Sequence, residues 1–144
     1  LAAACGATPV VVEAPAQIPG PAYHAAAALV ANGTAGLAYA GVETLLRLGV
    51  ERREAEAALG ALLRTVAGHI ERLGLPAALT GPVVRGDADT VAAHRAALAR
   101  SAPEALPAYD AIVPTILRCA REAGLGDAQC EAIEAALRAP VRGG

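Results

Sequence analysis

The stretch "GPAYHAAAALVANGTAGLAYAGVETLLRLG", residues 20–49, decides the fold class of this chain. Alanine, the residue with the highest helix propensity, dominates it, and a proline in its first turn and a glycine at its end are typical of helix boundaries. We therefore predict one helix from about Gly20 to Leu48, in a mainly α fold. The stretch contains three interior glycines, Gly33, Gly36 and Gly41. Because each costs a helix interior roughly 1 kcal/mol relative to alanine, we expect another helix or a ligand to approach this surface closely.

The same stretch raises the question of a membrane span, because Ala25 to Val42 carries no formal charge. Its length is near the lower limit for crossing a bilayer. Its residues are mainly alanine and glycine rather than leucine and isoleucine, and Asn32 lies inside it. We expect no membrane association, and a membrane helix is the alternative.

Four further helices are predicted from apolar periodicity and from capping residues. They span about Arg52 to Leu73, Ala88 to Arg100, Ser101 to Ala123, and Asp127 to Arg138. Asp87 and Asp127 are typical N-caps for the second and fourth of them. Ser101 and Glu104 have the S-x-x-E spacing of a capping box for the third, in which Pro114 predicts a kink.

Ahead of the long helix, Pro9 to Glu13 has the β-branched composition of a short strand. A strand needs a neighbour for its backbone hydrogen bonds, and no second run of this kind follows. We therefore expect its sheet to lie outside this sequence. Residues 1–19 are predicted to be the end of a separate domain, and residues 20–144 a helical domain.

The composition excludes several classes of protein. With 55% hydrophobic and 18% charged residues, the chain is globular rather than disordered. Its net charge of −2 and its dispersed arginines argue against nucleic-acid binding, which needs clustered positive charge. Three cysteines without a C-x-x-C pair argue against a disulfide framework and a metal site. Without a signal peptide pattern, we expect a cytoplasmic protein.

A second informative stretch is "LTGPVVRGD", Leu79 to Asp87. Gly81 and the proline after it fix a turn, Gly86 allows a positive φ, and Asp87 caps the next helix, so a structural role explains most of the motif. Arg85 is left without such a role. It can bind a substrate carboxylate or phosphate, or it can form an ion pair with Glu43 or Asp87; the sequence leaves both open.

Two polar residues on the long helix are candidates for chemistry. His24 and Asn32 lie eight positions apart, which places them within about 80° of each other around the axis and about 12 Å apart along it. Both can line a cleft that holds an elongated ligand, and a histidine can exchange a proton near neutral pH. The alternative for each is a purely packing role on an alanine-rich helix.

The motifs "GPAYHAAAALVANG" and "AALTGPVVRGDADTVAAH" together resemble the C-terminal half of a bacterial family of uncharacterised oxidoreductases. Members of that family have an N-terminal Rossmann-like domain. Their C-terminal half is a domain of unknown function, similar in fold to the helical domains of pyrroline-5-carboxylate reductase and 6-phosphogluconate dehydrogenase. The resemblance covers Pro9 to about Ala123.

The resemblance implies an NAD(P)-dependent oxidoreductase in which the Rossmann domain binds most of the NADP or NAD. The helical domain would bind a small, anionic substrate and form a homodimer. Matching motif positions imply His24 as proton donor and Asn32 as a residue that orients substrate. They also imply substrate contacts from four residues, Tyr23, Thr80, Arg85 and Asp87. Related hydroxyacid dehydrogenases carry a catalytic lysine on the equivalent helix, and this chain has no lysine.

The competing hypothesis is a noncatalytic module for homodimerisation or interaction. In that case the glycine-containing helix would pair with a second copy, and the turn around Arg85 would be structural.

Overall fold

The computed structural model describes residues 20–141, in which it has five α-helices and no strand. The helices are α1 (Gly20–Arg47), α2 (Arg52–Leu73), α3 (Ala88–Ser101), α4 (Leu106–Glu122) and α5 (Asp127–Arg138), with a short 3-10 turn at Pro103–Ala105 before α4. The predicted mainly helical class is confirmed for this part. The predicted strand at Pro9 to Glu13 and the predicted domain of residues 1–19 lie outside the described residues.

The predicted starts of α2 and α3 are correct. The helix α1 ends at Arg47, and Gly49 in the following turn has a φ of 87°. The predicted capping box at Ser101 and Glu104 is wrong, because Ser101 is the last residue of α3 and α4 begins only at Leu106. The cause is Pro103, which disfavours helical geometry at the residue before it. Ala102 accordingly has φ −153° and ψ 64°.

The predicted cap at Asp127 is also wrong. Gly126, with an extended backbone, is the N-cap of α5, so Asp127 is already the first helical residue. A carboxylate in the first turn still interacts favourably with the helix dipole. In α4 the helix continues through Pro114 from Leu106 to Glu122, and the kink stays a prediction.

The core lies between the turn before α3 and the helices α3, α4 and α5. Its buried side chains are Val83, Val91, Val113, Leu117, Cys130 and Ile133. Val83 places the "LTGPVVRGD" turn against this core, so the turn is held by burial and not only by its glycines. This arrangement fixes where the exposed atoms of the turn lie.

A buried arginine ties α5 to α3 and α4. The Arg95 guanidinium donates to both carboxylate oxygens of Asp110, at 2.8 and 3.1 Å, and to the carbonyl oxygens of Ala136 and Ala139, both at 2.7 Å. Arg95 is only 7% exposed, so each of its donors needs a partner. The bonds to Ala136 and Ala139 satisfy carbonyls at the end of α5 that lack helical partners.

The chain divides into two compact units between Ala35 and Gly36. The first contains the N-terminal part of α1, and the second contains the core. By length and composition α1 could cross a membrane, and its most apolar 18-residue window is 6% buried. Core helices of soluble proteins pass the same test of length and composition but are mostly buried, which this window is not, so the expected lack of membrane association stays a prediction.

Candidate functional site

The turn between α2 and α3 is built by backbone hydrogen bonds and by two glycines. Asp87 N–H donates to the Pro82 carbonyl at 2.9 Å, and Gly86 N–H donates to the Val83 carbonyl at 3.1 Å. Gly81 and Gly86 have φ values of 109° and 70°, a region that side chains disfavour. The two glycines are therefore explained by the turn itself.

Asp87 caps α3, as predicted. Its Oδ1 accepts from Thr90 N–H at 3.0 Å, and its Oδ2 accepts from the Thr90 hydroxyl at 2.6 Å. Both hydrogen bonds lower the pKa of the Asp87 carboxyl below its usual value, and the bond from the Thr90 hydroxyl has the larger effect. The predicted substrate contact of Asp87 stays a prediction, and its carboxylate already has a structural role.

Arg85 and Thr80 are the exposed polar residues of the turn. Glu43 forms its ion pair with Arg52 at 2.9 Å, and Asp87 binds Thr90. Among residues 20–141, neither carboxylate forms an ion pair with Arg85. The Arg85 carbonyl accepts from Gln129 Nε2 at 3.4 Å, which ties the turn to the first turn of α5. The guanidinium is thus presented to solvent from a fixed backbone.

Tyr23, His24 and Asn32 lie on the N-terminal part of α1, and all three are exposed. They belong to the unit that ends at Ala35, whereas Thr80, Arg85 and Asp87 belong to the unit that begins at Gly36. The three turn residues are brought together on one segment. Tyr23, His24 and Asn32 lie on a different segment, the helix α1, where Asn32 is eight positions beyond His24.

The surface of α1 is apolar and exposed. Its large exposed side chains are Tyr23, Leu29, Val30, Leu37 and Tyr39, and Leu29 is 75% exposed. The predicted close approach to the α1 glycines holds at Gly41, where a Cβ would lie 3.0 Å from Leu59 Cδ1 of α2. At Gly36, apart from its chain neighbours and the backbone of its own helix, no atom of the described residues lies within 4 Å of that position. Among residues 20–141, the N-terminal part of α1 is largely exposed and could contact another molecule.

An apolar groove of about 360 Å³ lies between the C-terminal part of α1 and the helices α2, α3 and α4. Its lining residues include Leu37, Leu59, Leu98, Tyr109 and Ile112. No charged residue lines the groove, so it suits an apolar ligand or the apolar surface of another molecule.

Two pairs between α3 and α4 were not predicted from the sequence. His94 Nδ1 and the Tyr109 hydroxyl are 3.1 Å apart, and the neighbouring residues Arg95 and Asp110 form the buried ion pair. The pKa of Tyr109 is raised, mainly by burial of its hydroxyl and secondly by the negative charge of Asp110. Each pair joins residues 15 positions apart on different helices, a separation that has no local sequence signature.

In the part of the chain that the structure describes, no three His, Cys, Asp or Glu side chains form a group that could hold a metal ion. The exposed hydroxyl, guanidinium and imidazole of Thr80, Arg85 and His24 can bind anionic and carbonyl groups by hydrogen bonds.

The family model described as "Domain of unknown function (DUF2520)" matches residues 1–116 of the chain. The matched part contains all six predicted site residues, whereas α5 lies beyond it. No curated protein matches the chain significantly, and neither does any solved structure.

Proposed function

The chain belongs to the DUF2520 family, and we propose that it is the dimerisation and substrate-binding domain of an NAD(P)-dependent oxidoreductase. The single observation that carries the proposal is the exposed apolar surface of α1. The proposal extends to a helical arrangement similar to that of the C-terminal domain of 6-phosphogluconate dehydrogenase.

Dimerisation is the part of the proposal with the most structural support. A helix of 28 residues is about 42 Å long, and side chains such as Leu29 and Val30 are exposed along it. An apolar surface of this kind marks an interaction site. In the unit that begins at Gly36, the free space at Gly36 would let a helix of a second copy approach closely, and the uncharged groove lined by Leu37 would add apolar surface to that contact.

Substrate binding is supported by the exposed polar side chains that have no structural role in the fold. Arg85 presents a guanidinium from a rigid turn, which suits the carboxylate or phosphate of a small anionic substrate. Thr80 lies close to it in sequence. On α1, His24 would donate a proton and Asn32 would orient the substrate, with Tyr23 beside them. Hydride transfer would be the chemistry of NADP or NAD, bound mainly by a Rossmann domain.

A noncatalytic homodimerisation module is the second candidate function. The observation that favours it is the turn before α3, where the glycines, Val83 and Asp87 all have structural roles without a substrate. Under this hypothesis, Arg85 and His24 would be surface residues. Both candidates share the dimer and the cytoplasmic location, and they differ in whether a cofactor and a small acid bind.

Two measurements on the intact protein test the proposal. Sedimentation velocity should give a dimer, and Leu29→Asp should convert it to a monomer, whereas the matched change Leu48→Asp beyond the end of α1 should not. A monomeric wild type would refute the dimer, and a requirement for detergent would indicate a membrane helix instead.

The second measurement is a thermal-shift screen of small carboxylic acids with NADP present. We expect at least one acid to raise the melting temperature of the wild type, and Arg85→Gln to remove that shift without changing the sedimentation coefficient. A full shift in Arg85→Gln, or no shift by NADP in the wild type, would favour the noncatalytic module.

A further inference from the structure

A second cleft lies between α4 and α5. It has a volume of about 400 Å³ and is lined by Pro114, Leu117, Arg118, Arg121, Glu134, Leu137 and Arg138. Three arginines and one glutamate leave an excess of two positive charges in this cleft, in a chain whose net charge is −2. Such a concentration of one charge attracts ions of the opposite sign.

The arginines already converge on a carboxylate. Arg121 Nη2 lies 2.9 Å from Glu134 Oε1, and Arg138 Nη1 lies 3.7 Å from Glu134 Oε2. Because Arg121 comes from α4 and Arg138 from α5, two guanidiniums from opposite walls reach one oxyanion. The planar guanidinium fork matches carboxylate and phosphate oxygens equally well.

Arg118 is the third guanidinium of the cleft. It lies three positions before Arg121 on α4, so the two side chains project from the same side of the helix, where like charges repel. Within residues 20–141, Arg118 forms no ion pair that would offset this repulsion. Its charge is available to an incoming anion.

The apolar lining limits the kind of ligand. Pro114 and Leu137 line the cleft beside the arginines and are at least partly exposed, whereas Leu117, 3% exposed, closes its base as part of the core. An anion with a short hydrocarbon part would bury it against these residues and place its charged group among the guanidiniums. The volume is within the range of sites for small molecules, about 300–1,000 Å³.

We propose that the cleft between α4 and α5 binds a small dianion with a short apolar part, a phosphate monoester or a dicarboxylate. Two negative charges match the excess of two positive charges. The arginines that carry the proposal lie after residue 116, beyond the part that matches the family, and no step rests on the proposed oxidoreductase function. The site can therefore be present or absent whichever function is correct.

Isothermal titration calorimetry of the full chain at pH 7.5 tests the proposal with three probes: inorganic phosphate, n-butyl phosphate and succinate. Sodium chloride at equal ionic strength is the control for nonspecific screening. We expect saturable binding of at least one dianion, with n-butyl phosphate tighter than inorganic phosphate. Comparing n-butyl phosphate with succinate identifies which of the two dianions the cleft prefers.

The variants separate binding from a structural role. Arg118→Gln should weaken binding about tenfold, because a charged hydrogen-bond donor is lost, whereas Arg72→Gln, an exposed arginine of α2, should not change it. Glu134→Gln should strengthen binding severalfold by removing the carboxylate that occupies two of the arginines. Melting temperatures without ligand show that each variant is folded.

The opposite results overturn the proposal. It fails if none of the three dianions binds the wild type more than chloride does, or if Arg118→Gln and Arg72→Gln have equal affinities. It also fails if Glu134→Gln weakens binding, because Glu134 would then be part of a structural network and not a competitor of the ligand.

Discussion

The N-terminal part of α1 and the group formed by α3, α4 and α5 are both alanine-rich helices, and they differ in what covers them. In the second group Val91, Cys130 and Ile133 are fully buried, and each guanidinium nitrogen of Arg95 has a hydrogen-bond partner. In α1, Leu29 and Val30 are 75% and 70% exposed. Alanine favours helix in both regions, whereas branched apolar side chains of neighbouring helices pack together only among α3, α4 and α5 and the turn before them.

The largest effect is expected in the core. Ile133→Ala removes a fully buried side chain and should lower the free energy of unfolding by about 4 kcal/mol, from lost burial and the cavity left behind. The matched change Ile70→Ala, at a residue 44% exposed, should cost less than about 1 kcal/mol. Urea denaturation measures both. Equal losses would mean that the packed group is not the stable part of the molecule.

Asp110→Asn should have the next largest effect. It leaves the buried Arg95 guanidinium without its carboxylate, and such a loss costs about 3 kcal/mol. The double variant Arg95→Met, Asp110→Asn should be more stable than Asp110→Asn alone, because no buried charge is left unpaired. Urea denaturation of the wild type, of Arg95→Met and Asp110→Asn separately, and of the double variant gives the coupling energy. Additive losses would contradict the role assigned to this pair.

Glycine substitutions test whether the exposed surface of α1 contacts a second copy, with a glycine of α2 as the reference. Gly68→Ala on α2 should stabilise the chain by about 1 kcal/mol, because no described atom lies within 4 Å of its Cβ position and alanine favours helix. Gly36→Ala has the same free space within the chain. If a second copy packs at Gly36, the Gly36→Ala change should instead weaken the dimer about tenfold, as measured by sedimentation equilibrium. A gain in stability with unchanged dimerisation would place the interface elsewhere.

The smallest effect is the pH dependence of the cap on α3. The hydrogen bonds from Thr90 lower the pKa of Asp87 in the folded chain. The stabilisation from this group is therefore complete above the pKa of the unfolded chain, near 3.9, and is lost as pH falls through the lower folded value. The difference in melting temperature between wild type and Asp87→Asn should shrink below about pH 4. A constant difference from pH 2 to 7 would contradict this linkage.

The helices could be predicted because their determinants are local. Alanine content, the stop at Gly49 and the cap at Asp87 act within a few residues, and they place α1, α2 and α3 correctly. The start of α4 was mispredicted because two local rules compete at the same place. Pro103 ends α3 at Ser101 before a capping box can form.

The candidate site was predictable only as separate segments. Arg85 was singled out because glycine and proline mark the turn around it, and Thr80 because it matches a motif position of the family that the sequence resembles. The pairs His94 with Tyr109 and Arg95 with Asp110 depend on how α3 packs against α4. The same holds for the arginines of α4 and α5, which look dispersed in the sequence and meet only in the folded chain.

Gly86 illustrates how the fold constrains future sequence change. Its φ is 70°, and a Cβ there would lie 2.8 Å from Gln129 Cβ, an atom that remains if Gln129 is shortened to alanine. No replacement at position 129 except glycine could make room for a larger residue at position 86, and the unfavourable backbone conformation would persist even then. During divergence, residue 86 is consequently held as glycine whichever side chain occupies position 129.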